Sequence, residues 1–316
     1  MSDRLLSTFP LPAPTLSALA RAGYETSSDL SSLTPEQLSK DLNIPLPASQ
    51  AVFSATRPTA APPMTQSAAA MMGTTTQYST ACAPLDRLLG GGLKRGHILE
   101  INGPPGSGKE QIAANAVTSF VDANQEVLFV DMQNMVLPAT IKRILMAERP
   151  TADAGGMALV RYHTLHTTAE LVVFLRTLPA YLAARPATGL LVLNSLPFPF
   201  QVKQDYKDRN AILDLLRQVL MRACASMGLT VIITSQLVSK SCQRDGESGS
   251  APLGSKYTMI PSFGAAQFPS GKTYRVILVP KTRTTGDMRL LSSPTHVPSA
   301  HALREEPYQR VRGAIA

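Results

Sequence analysis

The order of hydrophobic and polar positions predicts alternating strands and helices from about residue 80 onward. Short runs that are almost entirely apolar, typical of strands buried on both faces of a sheet, cover residues 127–131, 159–162, 190–194 and 230–234. Apolar residues at helical spacing cover residues 141–147, 169–184 and 211–227. Pro179 predicts a kink in the second of these helices. The alternation predicts an α/β domain with a mostly parallel sheet over residues 80–316, with later strands at its edge near 275–280 and 289–291.

Residues 1–57 predict a small all-α domain. An apolar helical face at 16–20 comes first. A second helix start follows, in which Thr34 is the capping residue, Pro35 takes the first helical position and Gln37 completes a capping box. Short helices joined by tight turns at this size resemble a helix-hairpin-helix bundle.

Residues 58–79 predict a linker between the two domains. The stretch has no charged residue and is dominated by Ala, Thr, Pro and Met. Such a composition favours a flexible or partly extended chain over a packed element.

Composition narrows the class of protein. Of the 316 residues, 44% are hydrophobic, which is enough for a sizeable core. No apolar run is long enough to cross a membrane, so we expect neither a membrane protein nor a secreted one. The three cysteines, Cys82, Cys224 and Cys242, are too scattered for a disulfide framework or a metal site.

The formal net charge of +8 lies in the larger domain, because residues 1–57 are close to neutral. A basic α/β body suggests a polyanionic partner, most commonly nucleic acid. A basic surface that only confers solubility is the alternative.

A glycine-rich segment lies between the strand predicted at 97–101 and an apolar helical face at 112–121. It matches the phosphate-loop pattern G-x-x-x-x-G-K-[ST] at every position but the last. Backbone N–H groups in such a loop point at phosphate oxygens, and the lysine reaches the β- and γ-phosphates. We therefore predict a nucleotide site, with an ordinary Gly/Pro turn as the alternative. Its residues are Gly103, Pro104, Pro105, Gly106, Ser107, Gly108, Lys109 and Glu110.

Several separated stretches together resemble one family. Residues 80–92 are similar to the segment that opens the ATPase core of the RecA-like eukaryotic recombinases. The strand at 190–194 and the following residues 198–200 resemble the second nucleotide motif of the C-type branch of the Rad51 paralogues. Residues 234–236 resemble the sensor of the same family. The similarity covers nearly the whole chain and weakens after about residue 264.

The resemblance implies a RecA-like P-loop ATPase core preceded by a helix-hairpin-helix-like domain. It implies ATP, with Mg²⁺, bound at a subunit interface. It further implies a nuclear protein of homologous recombination that works in a complex with other recombinase paralogues and the strand-exchange recombinase.

Two loops, near 201–210 and 237–263, would hold single-stranded or junction DNA according to the resemblance. Basic residues on flexible backbone suit contact with phosphates. A surface loop without a DNA contact is the alternative for the second loop. The candidate DNA-binding residues are Lys203, Lys207, Arg209, Lys240, Arg244 and Lys256.

The positions on which hydrolysis depends are altered. The resemblance places Glu110 where a hydroxyl would bind Mg²⁺, Asn194 where an aspartate would stand and Gln133 where a glutamate would activate water. Amides keep the shape and hydrogen bonding of carboxylates but carry no negative charge and take up no proton. Gln236 keeps the sensor chemistry, an amide able to respond to a γ-phosphate.

Two interpretations of Glu110 stay open. Its carboxylate can replace the charge missing at Asn194, which makes these two residues the candidate Mg²⁺ positions. Alternatively it faces the phosphates without a metal ion, and repulsion weakens nucleotide binding. Asp131 is either a substitute base or a structural residue.

Three functional hypotheses follow. The preferred one is a repair protein that binds ATP and DNA and hydrolyses ATP slowly or not at all. The second is an active DNA-dependent ATPase whose metal site is rebuilt by Glu110 and a partner subunit. The third is a scaffold subunit that binds no nucleotide.

Overall fold

A computed structural model describes residues 5–9, 11–27, 29–30, 33–56, 76–148, 155–202, 205–241, 257–264, 267–268, 270–295, 304–311 and 314–315. The chain forms two compact units, Met1–Met72 and Gly73–Ala316. Each unit is described by itself below.

The described part of the first unit is helical. Its helices are α1 (Ala13–Arg21), α2 (Pro35–Leu42) and α3 (Leu46–Thr56). The predicted capping box is confirmed, because Thr34 Oγ1 accepts the Gln37 N–H and Gln37 Oε1 accepts the Thr34 N–H. The small core is formed by Leu6, Leu19, Leu30, Leu38, Val52 and Phe53.

The second unit alternates strands and helices. Its helices are α4 (Ala83–Leu89), α5 (Lys109–Asn115), α6 (Val117–Asp122), α7 (Pro138–Glu148), α8 (Gly155–Ala158), α9 (Thr168–Ala184) and α10 (Tyr206–Ser226). Its first seven strands are β1 (Gln77–Tyr78), β2 (Leu93–Lys94), β3 (Ile98–Asn102), β4 (Glu126–Asp131), β5 (Val160–Thr164), β6 (Thr188–Asn194) and β7 (Thr230–Ser235). The later strands are β8 (Leu237–Ser241), β9 (Tyr257–Pro261), β10 (Thr273–Pro280), β11 (Thr285–Ser292), β12 (Arg304–Val311) and β13 (Ala314–Ile315).

A nine-stranded sheet in the order β13-β12-β11-β10-β3-β7-β6-β4-β5 organises this unit. The strands from β10 to β5 in this order are parallel to their neighbours, and β11, β12 and β13 are added antiparallel at one edge. The predicted α/β class with a mostly parallel sheet is confirmed. All the parallel strands end at the same edge, which is where ligands bind in such sheets.

The two faces of the sheet are covered by different helices. Helices α4 to α7 bury Leu85, Ile112 and Phe120 on one face, together with Phe129 of β4. Helices α9 and α10 cover the other face, on which Val130 is buried. Adjacent residues of β4 therefore enter opposite cores, as the pleat of a strand requires. Helix α9 is continuous through Pro179, where the sequence predicts a kink.

Three segments differ from their predicted structure. Residues Gln77 and Tyr78, predicted as the end of the linker, form β1 and pair with β2, while 58–75 lie outside the described residues. Helix α10 begins at Tyr206, so the second half of the predicted first loop is helical. The predicted second loop begins and ends as an antiparallel ribbon of β8 and β9.

Within the described residues, no helix is both long enough and apolar enough to span a membrane.

Candidate nucleotide site at the carboxyl edge of the sheet

The glycine-rich loop connects the end of β3 to the start of α5. Strand β3 lies between β7 and β10 in the sheet, and the Gly103 N–H donates to the Ser235 carbonyl of β7 at 3.2 Å. The loop therefore lies at the carboxyl edge of the parallel strands. This is the position that a phosphate-binding loop requires.

The loop backbone has the alternating conformation of an anion-binding nest. Gly106 has a φ of +74° and Gly108 a φ of +95°, and Ser107 between them has an ordinary negative φ. At Gly106 a Cβ would meet nothing within 4 Å, so glycine is required there by the left-handed backbone and not by space. The Ser107 N–H closes this turn by donating to the Pro104 carbonyl at 3.2 Å. Successive N–H groups in such a conformation converge toward one side, which suits a phosphate oxygen.

Lys109 and Glu110 form an ion pair inside the loop. The Lys109 side chain is fully buried, and its Nζ lies 2.8 Å from Glu110 Oε1. The same ammonium donates to the Pro104 carbonyl at 3.2 Å. The Glu110 side chain is only 15% exposed, so the carboxylate turns toward the loop and not toward solvent. The Glu110 carboxylate therefore pairs with the ammonium that a phosphate would otherwise contact.

Asp131 and Asn194 are joined at the ends of β4 and β6. Asp131 accepts the N–H groups of Gln133 at 3.1 Å and Val136 at 2.7 Å, and the Asn194 Nδ2 at 3.2 Å. Burial, with the Asp131 charge as a second cause, raises the pKa of Tyr162 to about 12, so this phenol is a neutral donor to the same carboxylate. Asp131 therefore holds the turn after β4, which is the structural role.

Both the nitrogen and the oxygen of the Asn194 side-chain amide are hydrogen-bonded. Its Nδ2 faces Asp131, and its Oδ1 accepts from the Thr234 hydroxyl of β7 at 2.7 Å. Thr234 in turn accepts the Ser195 N–H at 2.6 Å. An aspartate at position 194 could not donate to Asp131, so the asparagine matches this arrangement better than the charged residue would.

A second set of contacts connects Gln133, Ser195 and Gln236. The Gln133 Oε1 accepts from Ser195 Oγ at 2.7 Å and from Gln236 Nε2 at 3.3 Å. Ser195 is buried and has a φ of +62°, a left-handed conformation that is strained for serine. An amide oxygen that already accepts two donors has no lone pair left for a water proton.

The three altered or sensor positions predicted from the sequence, Gln133, Asn194 and Gln236, thus lie on three neighbouring strand ends and share hydrogen-bonded partners. Sequence reasoning missed Ser195 and Thr234, which connect them. In the sequence, Thr234 stands out only as part of the sensor motif, and no sequence signal identifies the left-handed backbone of Ser195.

The candidate Mg²⁺ positions do not fit that ion. Among the described residues, no three or more His, Cys, Asp or Glu side chains are grouped so as to hold a metal. The Glu110 carboxylate is paired with Lys109, and Asn194 offers an amide oxygen that already accepts from Thr234. Mg²⁺ prefers carboxylate oxygens and waters in octahedral geometry, which these contacts do not provide.

A cavity of about 430 Å³ lies beside the loop on the side of β10 and β12. Arg310 of β12 enters this region, and its Nη1 donates to the Gly106 carbonyl at 2.6 Å. No sequence signal predicts this contact, because the two residues are 204 positions apart. The cavity is lined by Pro105, Gly106, Ser107, Pro280, Thr282, Arg283, Tyr308 and Arg310.

The first candidate DNA loop is shorter than predicted. Lys207 and Arg209 belong to the first turns of α10 and not to a flexible loop. The Arg209 guanidinium lies 5.9 Å from the centre of the Phe200 ring. Lys203 lies outside the described residues.

The second candidate loop is closed at its base. The Ser262 N–H donates to the Gln236 carbonyl at 3.1 Å, and β8 pairs with β9 above this point. Lys240 lies in β8, opposite Thr258, and its side chain is outside the described part of the chain. Arg244 and Lys256 fall entirely outside the described residues.

A buried ion pair anchors the segment that follows the ribbon. Arg275 of β10 donates to both Glu100 carboxylate oxygens, at 2.6 and 3.2 Å, and to the Phe263 carbonyl at 2.7 Å. Burial raises the pKa of Glu100, against the lowering effect of Arg275. The end of the second candidate loop is thereby fixed to the central strands.

Comparison with known proteins assigns the family. The sequence model of the Rad51 family matches residues 73–257. DNA repair protein RAD51 homolog 3 from Cricetulus griseus is 23% identical over 279 residues, which are 75% of this chain and 76% of that protein. DNA repair and recombination protein RadB from Halobacterium salinarum is 30% identical over 168 residues, which are 51% of this chain and 68% of that protein. DNA repair protein RAD51 homolog 4 from Mus musculus is 27% identical over 198 residues, 58% of each chain. The family resemblance predicted from the sequence motifs is confirmed, and the chain belongs to the Rad51 family.

Proposed function

We propose that this protein acts in recombinational DNA repair as a nucleotide-binding subunit that holds ATP and hydrolyses it slowly or not at all. The names of similar proteins, which are DNA repair and recombination proteins, support the repair role. The proposal includes a nuclear location, other recombinase paralogues and the strand-exchange recombinase as partners, and single-stranded or junction DNA as a ligand.

The observation that carries the proposal is the contrast between the loop and the strand ends beside it. The nest formed by Gly106, Ser107 and Gly108 suits a phosphate. The residue in the position of the water-activating base, Gln133, is an amide whose oxygen already accepts Ser195 and Gln236. Among the described residues, the loop therefore suits phosphate binding, while Gln133 cannot act as the base that hydrolysis needs.

The nucleotide is held by this chain's own groups. The loop N–H groups would surround the β-phosphate, and the buried Lys109 ammonium would supply positive charge once the phosphates displace the Glu110 carboxylate. ATP brings a phosphoryl group that is transferred when a base and a metal ion are in place, and neither is provided by the contacts described above. Because Glu110 competes for Lys109, we expect weaker binding than in a site with a hydroxyl there.

The DNA-binding part of the proposal rests on the position of two segments. The ribbon base at Gln236 and the start of α10 both follow strands that end at the nucleotide edge. Lys207 and Arg209 on α10 supply positive charge near the first of these segments. Contacts of this kind depend on charge and fall steeply with salt.

One observation favours a second candidate function, that of a scaffold without nucleotide. The Lys109 ammonium is paired with the Glu110 carboxylate and bonded to the Pro104 carbonyl. A buried lysine that is satisfied in this way does not need a phosphate to be stable.

Binding of a fluorescent ATP analogue, measured with Mg²⁺ and with EDTA, tests the proposal. We expect saturable binding by the wild type under both conditions and a loss of at least about thirtyfold in affinity in Lys109→Ala, because a charge-assisted contact is removed and Glu110 is left without its partner. Lys142→Ala on the exposed face of α7 is the matched control and should bind like the wild type.

Phosphate release with and without single-stranded DNA completes the test. We expect no release that depends on Lys109. Release by the wild type that Lys109→Ala abolishes would establish an active ATPase instead. Absence of binding in the wild type would establish the scaffold. Co-purification of the full chain from its own cells identifies the partner subunits.

A further inference from the structure

The last long strand of the sheet places a guanidinium group against the phosphate loop. Arg310 Nη1 donates to the Gly106 carbonyl at 2.6 Å, and the Arg310 side chain has no ion pair with a described carboxylate. Most other described guanidinium contacts of this unit are made with carboxylates, such as Arg289 with Glu305 at 2.8 Å. The Arg310 guanidinium thus contacts a backbone carbonyl of the phosphate loop and not a carboxylate.

The direction of this contact matters for the nest. In a trans peptide the C=O and the following N–H point in opposite directions. Arg310 holds the Gly106 carbonyl, and the Ser107 N–H at the other end of the same peptide donates to the Pro104 carbonyl at 3.2 Å, so the guanidinium fixes the peptide that closes the turn of the loop. A positive charge on the oxygen also polarises the peptide, which strengthens the bond from its N–H to the Pro104 carbonyl and so stabilises the loop conformation.

The strand that carries Arg310 is fixed in register by a close contact. Gly286 of β11 lies opposite Tyr308 of β12, and a Cβ on Gly286 would lie 2.7 Å from the Tyr308 ring and 2.6 Å from the Val279 carbonyl. The Arg310 N–H donates to the Thr284 carbonyl at 2.6 Å. Glycine at position 286 therefore leaves the space that the Tyr308 ring occupies. The pairing of β12 with β11 in turn determines where Arg310 meets the loop.

We propose that Arg310 is a positioning residue for nucleotide binding, which couples the ordering of β12 to the affinity of the phosphate loop. The inference rests on the proposed function, because it concerns the same nucleotide site. Coupling is reciprocal: a partner that displaces β12 weakens nucleotide binding, and bound nucleotide stabilises β12.

The test compares Arg310→Met with Arg289→Met. Both variants remove a guanidinium from the terminal strands, but Arg289 lies on β11 in an exposed pair with Glu305 and does not contact the loop. We expect Arg310→Met to raise the Kd of a fluorescent ATP analogue about tenfold, the effect of losing one charge-assisted hydrogen bond, and Arg289→Met to change it less than twofold. Arg310→Lys, which keeps the charge and a donor, should recover part of the affinity.

Hydrogen exchange of the nucleotide-free protein supplies a readout that does not require binding. A peptide covering residues 103–110 should exchange faster in Arg310→Met than in the wild type, and at the wild-type rate in Arg289→Met. If Arg310→Met does not fold, Arg310→Lys and Arg310→Gln carry the same comparison, and the neutral Gln should bind more weakly than Lys.

The outcomes separate the two claims. If the wild type binds the analogue and Arg310→Met binds equally well with unchanged exchange, Arg310 has no positioning role, while the proposed function stands. If the wild type binds no nucleotide, the proposed function fails and this inference fails with it.

Discussion

The phosphate loop and the strand ends beside it lie at the same edge of one sheet, but they encode function in different ways. The loop relies on backbone N–H groups set by the conformation of Gly106 and Gly108. The strand ends rely on side chains, and here two amides, Gln133 and Asn194, stand where the family resemblance implies carboxylates. A backbone site is preserved as long as the turn is preserved, whereas a side-chain site changes with one substitution.

The strand ends also show how amide side chains can complete a hydrogen-bonded network at the edge of a sheet. Asn194 donates to Asp131 and accepts from Thr234, so both ends of its amide are satisfied without a cation. Buried polar groups that are fully hydrogen-bonded add rigidity and cost little. The hydrogen-bonded strand ends are therefore stable by themselves, and the loop next to them has a backbone conformation suited to phosphate.

Among the substitutions that test this difference, Asn194→Asp is expected to destabilise the strand ends most. The new carboxylate would lie about 3 Å from the Asp131 carboxylate, and like charges at that distance repel by about 5 kcal/mol at an effective dielectric near 20. We expect a loss of roughly 3–5 kcal/mol in the free energy of unfolding at pH 8 without divalent cations. Protonation of the introduced group relieves the repulsion, so the loss should shrink as the pH falls to 5. Denaturant unfolding at both pH values measures it.

Asn134→Asp is the matched control for this change. Asn134 is exposed in the turn after Gln133, so the same substitution adds a charge in water and should cost about 0.5 kcal/mol or less. If Asn194→Asp were as stable as the wild type at pH 8 without a divalent ion, the edge would already hold a cation or a proton, and its description as a neutral network would be wrong.

A smaller effect is expected for substitution of Glu110, which lies in the phosphate loop. Glu110→Gln keeps the length of the side chain and removes the carboxylate that pairs with Lys109. We expect nucleotide affinity to rise about tenfold, or roughly 1.4 kcal/mol, because the phosphates no longer compete with a carboxylate. Calorimetric titration with ADP measures the change.

Glu110→Thr sharpens the same test. Both variants should bind more tightly in EDTA, and only the threonine variant should gain further affinity with Mg²⁺, since a hydroxyl can ligate the ion. Weaker binding by Glu110→Gln would mean that the carboxylate assists the nucleotide, which is the metal-binding interpretation.

The smallest expected effect separates strain from hydrogen bonding at Ser195. Ser195→Ala loses the bond to Gln133 and keeps the left-handed φ of +62°, so we expect about 1–2 kcal/mol of destabilisation. Ser195→Gly loses the same bond but relieves the strain, and should be more stable than the alanine variant by about 1 kcal/mol. Equal unfolding free energies for the two variants would show that the backbone stores no strain at this position.

Much of the fold was predictable because burial leaves a local trace. Strands covered on both faces, such as β4 and β6, are continuous apolar runs in the sequence. Strand β12 leaves no such trace, since Arg304–Val311 is mostly polar and is a strand because it pairs with β11. The first turn of α10 was missed for the same reason, because Tyr206 to Arg209 shows no apolar period.

The candidate site also has residues whose positions the sequence predicts and contacts that it does not. Gln133, Asn194 and Gln236 each follow or end an apolar run, so a parallel sheet brings them to one edge. The ion pair between Lys109 and Glu110 was not among the expected arrangements, because it depends on the direction of a side chain. The Arg310 contact depends on the pairing of strands far apart in the chain and cannot be read from local pattern.

Gln236 connects the carboxyl edge of the sheet to the ribbon of β8 and β9. Its side chain contacts Gln133, and its carbonyl accepts both the N–H and the hydroxyl of Ser262 at the base of β8 and β9. A five-residue strand is about 16 Å long at roughly 3.3 Å per residue. A rotation of about 10° at this base would therefore move the far end of β8 by about 3 Å. A displacement at the base would therefore be several times larger at the far end of β8 than at Gln236 itself.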